Sequence, residues 1–205
     1  LFGEVTWFYP SENADTIDRA VTYNYMDSTS ERPVWTTSSL ARTSWQDSAV
    51  FGKPHGTEYD SSATSDGTVG NTDGVTTYYE HEKGQNQVKA GTTSAIAANI
   101  ESGDFDLDQQ RGLGGDGEYM LKIRRVIPDF LQQTGTAIVT LNLRDFANQS
   151  SSGSSLGPFD ATTSTTKIDT RARARAASLK ISNTATNTHW KLGTFKLDIQ
   201  PDGRR

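Results

Sequence analysis

Three arginines stand at alternate positions in "IDTRARARAASLKISN" (Ile168 to Asn183): Arg171, Arg173 and Arg175. In an extended strand successive side chains point to opposite faces, so the three share one face. A line of guanidinium groups suits two chemistries. It neutralises the phosphates of a nucleic-acid backbone, or it pairs bidentately with carboxylates across a seam between subunits. Each neutralised phosphate contributes about −0.9 to the slope of log K against log salt, so three contacts lose about forty-fold between about 50 and 200 mM salt. One copy of such a strand holds a polyanion weakly; a ring of copies holds it well. The seam is the preferred reading, and a charged edge strand facing water is the plain alternative. Downstream the same face continues as Ala177, Leu179 and Ile181, which have core character. Either a bulge switches the faces, or the strand runs from a subunit boundary into its own β-sandwich; the second is expected.

Other motifs match in form and fail in context. "GLGGDG" (Gly112 to Gly117) fits the dinucleotide pattern, but that chemistry needs a helix N-terminus next, and the strand-like "EYMLKIRRV" follows. It reads as a hairpin loop. "GSSLG" (Gly153 to Gly157) has the spacing of a serine nucleophile elbow, which requires a strand turning sharply into a helix. Ser155 lies instead in a serine-rich stretch before Pro158, read as part of a flexible loop from Asn148 to Gly157. "DFDLD" aligns Asp104, Asp106 and Asp108, yet the glycine and glutamate of a calcium loop are missing, so a solvated strand face is preferred. "HEKGQ" lacks the second histidine of a zinc-protease helix, and His55, His81 and His189 are far apart. No acid–base pair for hydrolysis stands out. The reading is therefore a non-enzyme with no cofactor and no metal.

The elements that must carry these residues are strands. Helical periodicity is nearly absent; "SAIAANIES" is open to reading as a short helix, but "GDFDLD" after it alternates like a strand. "TAIVTLNLRDF" puts Ala137, Val139, Leu141 and Leu143 on one face, and "TFKLDIQ" does the same with Phe195, Leu197 and Ile199. From residue 93 to 205 the pattern predicts an antiparallel β-sandwich. Residues 1–92 differ: "VTWFYPS", "RAVTYNYMD", "PVWTTSSLA", "SWQDSAVF" and "VTTYYEHEK" are short aromatic-rich strands like those of propeller blades or small barrels. That length supplies about two blades, too few to close a propeller, so a fragment or processed product of a longer protein is expected. The fold class is all-β. With 205 residues and no cysteine, the chain is long enough for a real core and forms no disulfide. No apolar run reaches the ~18 residues of a membrane span. The net charge of −5 hides a division: residues 1–120 carry 19 acids against 7 bases, and residues 121–205 carry 6 against 13. Such asymmetry points to different surroundings for the two halves.

Together "WFYPSENADTIDRAVTYNYMD", "SSLARTSWQDSAVFGKPHG", "YYEHEKG", "ANIESGDFDLD", "LKIRRVIPDF", "IDTRARARAASLKISN" and the closing "HWKLGTFKLDIQPDGRR" resemble the C-terminal portion of a phage tail family. These are the tail hub or nozzle proteins of short-tailed phages, including packaged-DNA stabilisation proteins. The resemblance spans essentially the whole chain, and its closing block is the most specific part. It implies a propeller-like β region joined to β-sandwich segments. It also implies a homo-oligomeric, usually six-fold ring below portal and adaptor, placed in the virion. Such a ring retains DNA, conducts it at ejection, and meets the tail adaptor, tail fibre or spike proteins and, transiently and without sequence preference, double-stranded DNA. Arg171, Arg173, Arg175, Arg124 and Arg125 are then the subunit-interface or lumen residues. The family pattern has glycine within the arginine run, where this chain has Ala174. Arginines facing a lumen in many copies would grip DNA too strongly for ejection, so pairing across subunits is expected.

The competing class is a carbohydrate-binding β module, in which Trp7, Tyr9, Trp35, Trp45 and Tyr78 stack on sugars. Large aromatics dominate cores generally, so these five are expected between sheets instead.

Overall fold

The structure, a computed structural model, describes residues 3–60, 74–89, 91–107, 119–146 and 153–204. The motif "GLGGDG" and Asp108 lie outside them, as do residues 148–152 of the predicted loop. Among the described residues the fold is all-β: seventeen strands and one helix of four residues. The chain divides into two compact units, Leu1–Gly84 and Gln85–Arg205. No described helix is long and apolar enough to cross a membrane.

In the first unit β1 (Glu4–Tyr9), β2 (Arg19–Asn24) and β3 (Val34–Ser38) form one antiparallel sheet. A second holds β4 (Ser44–Gln46), β5 (His55–Asp60) and β6 (Val75–Glu80). Their alternation makes two-faced sheets. The register sets Val5 opposite Tyr23, Trp7 opposite Val21 and Tyr23 opposite Trp35, so these residues share one face. On the other face Phe8 meets Trp45 of β4, ring centroids 5.5 Å apart. "SWQDSAVF" is not one strand: after β4 the chain makes a single helical turn, α1 (Ser48–Phe51), closed by Gly52 at φ 75°.

The placement of the aromatics differs from the expectation. Trp7, Tyr9, Trp35, Trp45 and Tyr78 are all exposed, from 39% for Trp45 to 64% for Tyr78. The expectation took large aromatics to be core because they bury the most area. This unit buries only Ala20 and Tyr79 among its described hydrophobic residues, so the described residues form no apolar interior for the others to enter.

The second unit begins with the hairpin β7 (Asn86–Lys89) and β8 (Thr92–Ala95), followed by β9 (Ala98–Glu101). "SAIAANIES" is therefore strand rather than helix. The hairpin is tied to the later chain by Asn86, whose side chain donates to Asn187 (2.7 Å) and accepts from the Asn187 backbone (2.7 Å). Then come β10 (Tyr119–Ile127), β11 (Phe130–Thr134), β12 (Ala137–Arg144), β13 (Ser154–Ala161), β14 (Ile168–Ala174), β15 (Ala176–Asn183), β16 (His189–Leu192) and β17 (Lys196–Arg204). The sheets run β14-β10-β17, β13-β12-β15-β9 and β11-β16, with antiparallel neighbours throughout. β12 alternates as its sequence requires: Ala137, Val139, Leu141 and Leu143 are buried and their neighbours half-exposed. Residues from the inner faces of the two larger sheets form one apolar cluster, with Leu121, Ile123 and Val126 from β10, and Phe195, Leu197 and Ile199 packed against it. "GSSLG" belongs in part to β13, where Ser155 pairs with Asn142, because the serine-rich stretch finds an edge to hydrogen-bond. An extended residue there cannot be a nucleophile elbow.

Candidate functional site: a basic sheet face

The outer face of sheet β14-β10-β17 is basic because its strands turn their apolar residues inward. Leu121, Ile123 and Val126 are fully buried, which leaves Lys122 and Arg124 outward. Between Ile123 and Val126 the alternation slips: pairing to both neighbouring strands shifts between Ile123 and Arg125. This bulge keeps Arg124 and Arg125 together on the outer side. On β14 the buried residues are Ile168, Thr170, Ala172 and Ala174, so Asp169, Arg171 and Arg173 face out. The Thr170 hydroxyl donates to the Ile123 carbonyl (2.7 Å) and fastens β14 to β10 beneath the bulge.

Arg124, Arg125, Arg171 and Arg173 thus converge, with Lys122, on a concavity of about 500 Å³ whose wall also includes Asp169 and Asp202. Arg175 does not join them. The chain bends at Arg175 and passes from β14 in one sheet to β15 in the other. The buried positions change from Ala172 and Ala174 to Ala177, Leu179 and Ile181, a slip of one residue. Arg175 is half-buried at this corner, its backbone N–H donating to the Arg144 carbonyl (3.0 Å). The expected single arginine face running into the core is therefore replaced by a change of face. Strict alternation would have turned Leu179 and Ile181 outward with the arginines, and burying them decides against it.

The charges on this face are unevenly matched. Arg173 reaches to β17, where its Nε lies 2.6 Å from Asp202 and a terminal nitrogen donates to the Asp202 carbonyl (3.1 Å). Arg125 lies between Asp169 at 3.8 Å and Asp198 at 3.7 Å, with its Nε buried and hydrogen-bonded to neither. Lys167, 3.0 Å from Asp169, holds that carboxyl below its usual range through a hydrogen bond and charge, with Arg125 adding to the effect. Among the described residues, Lys122, Arg124 and Arg171 have no carboxylate within ion-pairing distance. Lys122 sits directly opposite Arg173 in the ladder, a like-charge pairing that is unfavourable by itself. Lys122 escaped the sequence reading, although its alternation with Arg124 in "LKIRR" is the signal that it shares their face. The face can hold an anion.

A second polar cluster, in the first unit, was also missed. Arg42 is 5% exposed, donates from Nε to His81 Nε2 (2.9 Å), pairs with Glu58 (3.3 Å) and lies 4.0 Å over the ring of Tyr79. Burial lowers the pKa of both Arg42 and His81; Glu58 opposes the shift at Arg42, and the Arg42 charge adds to that at His81. Nothing in the spacing of Arg42, Glu58 and His81 announces the contact, which the ladder of β4, β5 and β6 creates. In "DFDLD", Asp104 forms an ion pair with Arg144 (2.8 Å), and among the described residues no group of three or more acids and histidines could hold a metal ion.

No protein-family model matches the chain, and no curated protein matches it.

Proposed function

We propose that the chain is a structural, non-catalytic subunit of a short-tailed phage tail. It would belong to the hub or nozzle ring below portal and adaptor that retains packaged DNA and conducts it at ejection. The observation that carries this reading is the uncovered aromatic face of β1, β2 and β3. Trp7 and Trp35 are 48% and 52% exposed, their ring centroids 6.0 Å apart, with the Tyr23 ring tilted against Trp35 at 4.6 Å. Contiguous apolar surface of this kind is a mark of a face that another protein covers. A closed ring of about six copies supplies that cover through one repeated head-to-tail interface. The resemblance of the whole sequence to the tail family supports the same reading, as does the all-β fold. The partners are further copies, the tail adaptor, fibre or spike proteins and, transiently, double-stranded DNA; the location is the virion. On the basic face, Lys122, Arg124 and Arg171 are the cations left, among the described residues, to meet groups outside the chain.

Native mass by light scattering at moderate salt tests the reading. The wild type is expected as a ring, and the double variant Trp7→Ser, Trp35→Ser as a monomer. A wild-type monomer at micromolar concentration would sink it. The same exposed rings favour a second reading, a carbohydrate-binding module, in which a monomer would bind neutral glycans on an array.

A further inference from the structure

We propose that the centre of the basic face is a discrete site for one tetrahedral dianion of the phosphoryl class, and not a track for a continuous polyanion. The arrangement of the carboxylates carries this inference. Arg173 is held by Asp202 at one side of the concavity, and Arg125 is flanked by Asp169 and Asp198 at the other. These carboxylates, with Lys167 beside Asp169, leave both limits close to neutral, so an extended run of phosphates gains little there beyond the central cations. Between these limits lie Lys122, Arg124 and Arg171, without a carboxylate of their own among the described residues.

Three cations from two adjacent strands approach a compact oxyanion from different directions, as a tetrahedral group requires. Arginine supplies a planar fork of N–H donors and lysine a point charge. A dianion also offsets the unfavourable opposition of Lys122 and Arg173 in the ladder. The concavity, about 500 Å³, exceeds the size of a bare oxyanion and leaves room for a small molecule that carries one. The site stands independently of the tail assembly proposed above.

The test is calorimetric titration of the full chain with inorganic phosphate at constant ionic strength. Acetate and a sugar phosphomonoester serve as comparison titrants. Saturable phosphate binding is expected, weakened about tenfold or more in the double variant Arg124→Gln, Arg171→Gln. Both side chains are exposed, so the variant keeps its fold; if it does not, Lys122→Gln is the substitute, with a smaller loss. Tighter binding of the monoester supports a carried phosphoryl group, and equal binding supports the free anion. Acetate binding as tight as phosphate overturns the proposal, and so does a variant that binds like the wild type. A short DNA duplex separates site from track. The site predicts a salt slope no steeper than three phosphate contacts give, about −2.7, and a slope twice that would overturn it.

Discussion

The two units solve the problem of an interior in opposite ways. In the second, Leu121, Ile123, Leu141, Val126 and Val139 are fully buried, and two sheets contribute to one apolar cluster. In the first, Ala20 and Tyr79 are the buried hydrophobic residues among those described, and the most enclosed large side chain is a charged one, Arg42. An apolar interior draws its stability from area removed from water and is indifferent to pH. A polar interior depends on each donor keeping its acceptor, and it fails when one protonation state changes. The second unit is thus built to be stable by itself, and the first to be conditional.

Breaking the apolar core gives the largest effect. Leu121→Ala is expected to cost about 2–5 kcal/mol, read as lost hydrogen-exchange protection across β10 and β12. Trp35→Ala, which removes a larger but half-exposed side chain, is expected to cost about 1 kcal/mol or less in the isolated chain. Equal costs would erase the contrast. Next comes Arg42→Met, which keeps the volume and strips Glu58 of its buried partner. A loss of about 3 kcal/mol is expected, confined in hydrogen exchange to β4, β5 and β6. If exchange there is unchanged, the polar interior carries no weight.

The third prediction uses pH. His81 accepts from Arg42 and its pKa is lowered by burial, so the folded unit binds a proton less readily than the unfolded chain. Its contribution is fully present above the unfolded value, near 6.5, and is lost as pH falls through the lower folded value. Protection factors in β4, β5 and β6, taken relative to the intrinsic exchange rate at each pH, should therefore fall on acidification from about pH 7 to pH 5, and the variant His81→Gln should flatten this response. The smallest effect sharpens the other side. Arg144→Ala removes a half-exposed ion pair with Asp104 and should cost only about 0.5–1 kcal/mol, measured by denaturant unfolding.

Much of the second unit was legible in the sequence because one face of each long strand is apolar. Ala137, Val139, Leu141 and Leu143 alternate in the chain and are buried together for that reason. The basic face was legible for the same reason, since Arg171 and Arg173 oppose buried Ala172 and Ala174. Arg175 was misplaced because alternation cannot register a bend between sheets. The first unit was harder. Its aromatics have strand character, and composition alone equates an aromatic with a core residue; whether an interior exists to receive Trp7 or Trp35 depends on what packs against the sheet. The pairing of Arg42 with His81 spans 39 residues and arises only when the strands lie side by side.

The bend at Arg175 has a consequence for the kinds of sequence change this chain can accept. Because it shifts the inward positions by one, the stretch from Ile168 to Asn183 is sensitive to parity. With the bend kept, deleting a single residue there would turn Leu179 and Ile181 outward, or Ala172 and Ala174, whichever strand gives way. Inserting or removing two residues would leave both faces correct. Length variation at this corner should therefore come in pairs, while substitutions at Arg175 itself are read only for size and charge.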